Sequence, residues 1–179
     1  MKVPHTIIQI DKRKDNPLRK HARLITKDEF NTPYLQDVIF AMHEALSKES
    51  DGVALAAPQI GLSLSIFVVS PNAYPPDTKT KPLVFINPRI VKKSKKTAEL
   101  QEGCLSVRWI YGTTRRALNA TVEAYDVSGK KFTYGASGLI AHIFQHEIDH
   151  LSGILFTDHG FNFEEYTEEE VREATKKKK

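Results

Sequence analysis

The chain has 179 residues, 40% of them hydrophobic and 27% charged, with a formal net charge of +4 and one cysteine. These proportions are ordinary for a soluble globular protein, and the length suits one domain with a real core. No apolar run approaches the length of a membrane helix, and a single cysteine rules out an internal disulfide. The opening Met1-Lys2-Val3-Pro4-His5 carries no signal-peptide hydrophobic region, so a cytoplasmic location is expected.

In chain order, Leu35, Val38, Ile39, Met42 and Leu46 recur at helical spacing after Thr32-Pro33, which reads as a helix start. Leu64 to Val69 and Leu83 to Ile86 read as buried strands on either side of a Pro-rich loop from Pro71 to Pro82. Lys92, Lys93, Lys95 and Lys96 form a basic cluster. Such runs are usually a solvated face, with a weak attraction to RNA as the functional alternative. Nothing resembles a DNA- or RNA-binding signature. Thr121 to Tyr125 and Lys131 to Tyr134 flank Asp126-Val127-Ser128-Gly129 as a hairpin. A helix follows, with Ser137 at its N-cap, apolar Leu139, Ile140, Ile143, Phe144, Ile148 and Leu151 along one stripe, and Gly153 at a left-handed C-terminal cap. The organisation is α+β. Residues 1–160 form the expected catalytic domain, and 161–179 a short helix or frayed basic tail, glutamates first and lysines last.

That second helix carries His146-Glu147-Ile148-Asp149-His150. Two histidines four apart share one helical face and can grip one ion, while Glu147 lies beside it, placed to handle the protons of an attacking water. A catalytic metal needs a third protein ligand and an open position. His142 and His150 are eight residues apart, roughly 12 Å along a helix, too far to share an ion. A further histidine six residues after His150 would complete another known pattern, but that position is Phe156. His159 lies beyond the helix and stays open on geometry alone. The strongest candidate is Cys104, in Gln101-Glu102-Gly103-Cys104-Leu105-Ser106. A lone cysteine is commonly an inert buried hydrophobe, but a glycine immediately before it suits close backbone approach to a site.

Three ordered segments resemble the bacterial peptide deformylases: Gly52-Val53-Ala54-Leu55-Ala56-Ala57-Pro58-Gln59, Glu102-Gly103-Cys104-Leu105-Ser106 and Gln145-His146-Glu147-Ile148-Asp149-His150-Leu151-Ser152-Gly153. The similarity extends through Asp15-Asn16-Pro17-Leu18-Arg19 and Arg116-Ala117, over roughly residues 6–158. It implies small mixed or antiparallel sheets packed around a central helix that carries the metal motif. It further implies metal ligation by Cys104, His146 and His150, Glu147 as proton carrier, and oxyanion donors in the Gln59 side chain and the Leu105 backbone N–H. Gly52, Val53, Ala54, Gly103, Leu139, His142 and Ile143 would hold the substrate, and Glu102 and Arg116 would form a supporting ion pair. The implied reaction is hydrolysis of the N-formyl group of formyl-methionyl nascent peptides, with release of formate. Iron(II) is the implied physiological metal, and zinc, nickel or cobalt can replace it.

The chain departs from that pattern twice. Ala54 stands where the family has a second glycine, and Val107 is followed by Arg108-Trp109 where the family has Pro-Gly. Since an alanine avoids left-handed angles, residue 54 is expected to keep a negative φ, the family glycine there serving clearance only. Two rival readings of the same helix are a zinc endopeptidase and a catalytically degenerate metal-binding relative.

Overall fold

The computed structural model describes residues 3–11, 15–75 and 83–176; positions 76–82 of the expected Pro-rich loop and the three terminal lysines lie outside them. In chain order the elements are α1 (Pro33–Ser47), β1 (Ala54–Ala56), β2 (Ile66–Val69), β3 (Leu83–Lys93), β4 (Thr97–Cys104), β5 (Val107–Ala117), β6 (Asn119–Tyr125), β7 (Lys131–Ser137), α2 (Gly138–Leu151), β8 (Phe161–Glu165) and α3 (Glu168–Lys176). They form one five-stranded sheet in the order β1-β2-β3-β6-β7 and one three-stranded sheet in the order β4-β5-β8. Every strand pairing within both sheets is antiparallel.

Strand β2 shows why the large sheet is sandwiched. All four of its residues are buried, because alternate side chains feed two different cores. Ile66 and Val68 pack with Leu35, Val38, Met42 and Leu46 of α1. Phe67 and Val69 turn the other way, against Ile143, Phe144 and Leu151 of α2. An aromatic cluster fills that second layer: Phe67 and Phe85 stack at 4.5 Å, and the Phe144 ring meets Phe85 edge-on at 5.1 Å. The central helix is thus fixed by its apolar stripe, and its opposite face is left for polar side chains.

The ends of the helices follow their residues. Thr32 Oγ1 accepts from the backbone N–H of Leu35 and starts α1 as expected. At the end of α2 Gly153 holds φ +74, its N–H donates to the His150 carbonyl, and Ile154 N–H donates to that of Asp149. This is a Schellman closure. A side chain at Gly153 would also strike the backbone of Arg19, 2.8 Å from a Cβ placed there. Ser137 occupies the N-cap position of α2, but its side chain makes no capping bond.

Three expectations need correction. Strand β3 continues well past Ile86 to Lys93, and β4 and β5, absent from the sequence reading, form the most extensively paired hairpin of the small sheet. Beyond Gly160 the chain is not only helix or tail: Phe161–Glu165 pairs with β5 as β8 before α3 begins. Ala54, by contrast, takes an ordinary extended conformation in β1 and keeps out of the left-handed region, as expected.

Because Phe144 sits at the junction of α2 and the sheet with no exposed surface, Phe144→Ala is expected to lower unfolding stability by about 3–5 kcal/mol. Urea denaturation measures it; a loss under about 1 kcal/mol contradicts the packing account.

Candidate active site

The β4–β5 hairpin turns sharply at Leu105-Ser106, with Cys104 paired to Val107. This places Cys104 at the tip of the small sheet, facing α2. Its Sγ lies 3.2 Å from His150 Nε2, which in turn lies 3.2 Å from His146 Nε2. The three donor atoms fall within 4.8 Å of one another. A sulfur and two imidazole nitrogens converging on one point is a donor set suited to a divalent transition metal. His142 stands outside this group, and His159 is turned to Asp149 at 3.4 Å, which closes the alternative left open by sequence.

One carboxylate organises the histidines. Glu102, buried on β4, accepts from His146 Nδ1 at 2.5 Å, from His142 Nε2 at 2.5 Å and from Thr114 Oγ1 at 2.5 Å. It also accepts from Arg116, through Nη2 at 2.8 Å and Nε at 3.1 Å. Burial alone would raise this carboxyl, but the bonds from His142, His146 and Arg116 outweigh it and hold Glu102 well below the usual carboxylate range. Because the carboxylate only accepts, His146 donates from Nδ1, which turns its Nε2 toward His150 and Cys104. Burial would lower this ring, but its bonds to Cys104 and Glu102 outweigh that and hold it well above the ordinary histidine range, so a cation bound there would displace the Nε2 proton. Burial, reinforced by the charge of His146, keeps His150 well below the ordinary histidine range, so His150 presents a neutral nitrogen. Arg116 is shared with Asp149 of the motif helix at 2.5 Å, so the expected ion pair of Glu102 and Arg116 is one part of a larger network.

Glu147 is 3% exposed, and burial pushes its carboxyl up to about 7, with His146 pulling against that shift. Among the described residues, no protein group meets its buried Oε2. A carboxylate poised near neutrality beside a metal-type donor set suits proton transfer. Gln59 is equally buried. Its Oε1 accepts from Ala56 N–H at 2.8 Å, which aims its Nε2 at Ser106 Oγ, 3.2 Å away, and toward Cys104 Sγ at 3.6 Å. Gln59 thus satisfies local backbone through Oε1 while its Nε2 is turned to the cysteine side of the cleft.

The site opens into a cleft of about 700 Å³. Gly52 and Val53, leading into the edge strand β1, and Ala54, its first residue, line the cleft together with Gly103, Cys104 and Leu105 of the β4–β5 hairpin. Leu139, His142 and Ile143 of α2 line the floor, Leu139 remaining half exposed at the rim. His142 is more than a pocket wall, since it holds Glu102; that bond spans 40 residues and no local pattern announces it. Gly52 and Gly103 leave room for their neighbours: a Cβ at Gly52 would lie 2.8 Å from Leu46, and one at Gly103 would lie 2.6 Å from the Tyr111 ring. Arg108 and Trp109, singled out in the sequence as a departure from the family pattern, border the cleft; sequence reasoning missed Tyr111 and Tyr166 as cleft residues.

An antiparallel α+β scaffold holding a Cys-His-His donor set beside a buried carboxylate defines a metal-dependent hydrolase. The polypeptide deformylase family profile matches residues 6–165. A peptide deformylase of Desulforudis audaxviator is 39% identical over 152 residues, spanning 85% of this chain and 92% of that protein. Among solved structures, a class I type b peptide deformylase of Acinetobacter baumannii bound to Met-Ala-Ser superposes with a TM-score of 0.75 at 32% identity. It covers 86% of this chain and 99% of that one. A plant peptide deformylase covers 98% of this chain and 89% of that one, at TM-score 0.76 and 33% identity. The chain belongs to the polypeptide deformylase family.

Removing the charge of Glu102 while keeping its shape tests the network. Glu102→Gln is expected to weaken metal affinity about 10–100-fold through the loss of orientation at His146. Competition against a chelator reads this out, and an unchanged affinity contradicts the role given to Glu102.

Proposed function

We propose that Cys104, His146 and His150 hold the divalent cation of a peptide deformylase, and that Glu147 carries the proton in hydrolysis of the formyl-methionine amide at the start of new polypeptides. The observation that carries this reading is the convergence of one sulfur and two imidazole nitrogens beside a buried carboxylate oxygen that has no protein partner. When bound, the cation supplies Lewis acidity toward water and the formyl carbonyl. Glu147 takes a proton from the attacking water and passes it to the departing amine, so that formate and a free amino terminus result. Gln59 Nε2 and the Leu105 N–H face the carbonyl oxygen as it gains charge. Because Gln59 Oε1 is tied to Ala56 N–H, the amide plane is fixed, and Nε2 has only to exchange its long contact with Cys104 Sγ for the carbonyl oxygen.

The main chain of Gly52, Val53 and Ala54, leading into the edge strand β1, pairs with the substrate main chain as an added strand. Leu139, His142 and Ile143, with Val53, receive the methionine side chain, and Gly103 keeps the facing wall clear. Iron(II) is the physiological metal on this reading, and the same ligands accept zinc, nickel or cobalt. The catalytic unit is residues 1–160, followed by a C-terminal segment, 161–179, of which Tyr166, Glu170 and Val171 border the cleft. Among the described residues no helix is long and apolar enough to cross a membrane. The place of work is the cytoplasm, on formylated chains leaving the ribosome. The exposed Lys92 and Lys93 at the end of β3 and Lys95 and Lys96 in the turn to β4 supply a weak attraction to ribosomal RNA.

The test uses formyl-Met-Ala-Ser and its unformylated twin with metal-loaded protein. Formate release from the first alone is expected, whereas internal peptide cleavage supports an endopeptidase and no reaction a degenerate relative. Glu147→Gln should retain metal but lose about 10²–10⁴-fold in kcat with little change in substrate binding. Near-native turnover by the metal-replete variant contradicts the assignment.

A further inference from the structure

The cleft wall beyond the metal site is built from a strained bulge. Gly103 of β4 pairs with Tyr111, yet the next residue, Cys104, pairs with Val107, so Arg108, Trp109 and Ile110 are left out of the β4 ladder. Bulges of this kind re-aim side chains beside active sites. Trp109 holds φ +67 there, an angle that bulky L residues rarely adopt and that the Pro-Gly of related chains would accept freely. This chain therefore keeps an indole at a backbone position suited to glycine, which calls for a role beyond folding.

The surroundings brace the backbone at Trp109 and put one charged group against its ring. The Arg108 guanidinium stands 5.0 Å from the Trp109 ring centroid and is itself paired with Asp51 at 2.9 Å and with Glu49. Asp51 immediately precedes the Gly52–Ala54 edge, so the ion pair ties the bulge to the strand on which a peptide is laid. Strand β8 closes the other side. Ile110 pairs with Glu165, and the Tyr166 N–H donates to the Trp109 carbonyl at 2.9 Å. The Tyr166 ring meets Tyr111 edge-on at 5.6 Å, and Tyr111 in turn lies over Gly103, one residue from Cys104. Trp109, Tyr111 and Tyr166 all border the same cleft as His146 and Glu147.

We infer that Trp109, Tyr111 and Tyr166 form an aromatic subsite that favours formylated peptides with an aromatic side chain at the second or third residue. This rests on the deformylase reading above and adds the selectivity that distinguishes this chain. Rigid rings with few torsions lose little freedom on contact, and their faces and edges suit another ring. Glycine at 109 would relieve the left-handed angle but would lose the Arg108 contact and remove the ring from the cleft.

The experiment compares kcat/KM for formyl-Met-Ala-Ala, formyl-Met-Phe-Ala and formyl-Met-Ala-Phe, using metal-loaded wild type, Trp109→Gly and Trp109→Phe. Wild type is expected to favour one phenylalanine peptide over the alanine peptide by about three- to tenfold, the size of one aromatic pair. Trp109→Gly should bring that ratio close to one, and Trp109→Phe should retain most of it. If Trp109→Gly does not fold, Trp109→Asn, which tolerates the left-handed angle, takes its place. A wild-type enzyme indifferent to phenylalanine at both positions overturns the inference, as does a glycine or asparagine variant that keeps the preference. Failure to deformylate any of the three peptides overturns the deformylase reading instead.

Discussion

The buried carboxylate of Glu102 is the constraint on which the site depends. It sits on the small sheet, yet two of its donors, His142 and His146, come from the helix packed on the large sheet. Thr114 and Arg116 of β5 satisfy the rest of its oxygens, and Arg116 reaches back to Asp149 on the same helix. A buried anion without partners would be strongly unfavourable, so the two sheets are held in the one relation that completes this network. That relation also brings Cys104 to the histidines.

The two halves contribute differently. The helix is set by apolar packing against Phe67 and Phe85, which leaves the spacing of His146 and His150 invariant to changes in the loops. The hairpin is set by its tight turn at Leu105-Ser106, whose carbonyls are held by the amino-terminal segment: Gln9 Nε2 donates to Leu105 O, and Ile10 N–H to Ser106 O, each at 2.8 Å. A rigid helix carries two of the candidate donors and Glu147, and a braced turn carries the third. Such division explains how a small domain keeps a reactive sulfur, two imidazoles and a nearly neutral carboxyl at fixed separations.

Much of this was legible in the residues. Both long helices announce themselves through apolar spacing and their caps, and two ligands follow from their spacing on one helix. Cys104 was reachable because the chain has no second cysteine and because the flanking motif resembles a known family. Strands β4 and β5 were not legible, although Thr97 to Glu102 alternates in burial, because the lysine run just before them reads as solvated surface. Strand β8 was hidden for a plainer reason: all five of its residues are exposed, so no buried face patterns the sequence. The bond between His142 and Glu102, like the meeting of Trp109 with Tyr166, joins residues far apart in sequence, and only the fold brings them together. The alanine in place of glycine at 54 proved conformationally neutral, whereas the tryptophan at 109 did not.

The central claim is that one thiolate and two imidazoles hold a single metal. The most direct measurement is the optical spectrum of the cobalt(II)-substituted protein, in which thiolate ligation produces a near-ultraviolet charge-transfer band and low coordination number gives intense visible bands. Stoichiometric cobalt with both features is expected in the wild type, and the charge-transfer band should vanish in Cys104→Ala. A cobalt protein with no thiolate band, or one whose band persists in Cys104→Ala, would contradict the account.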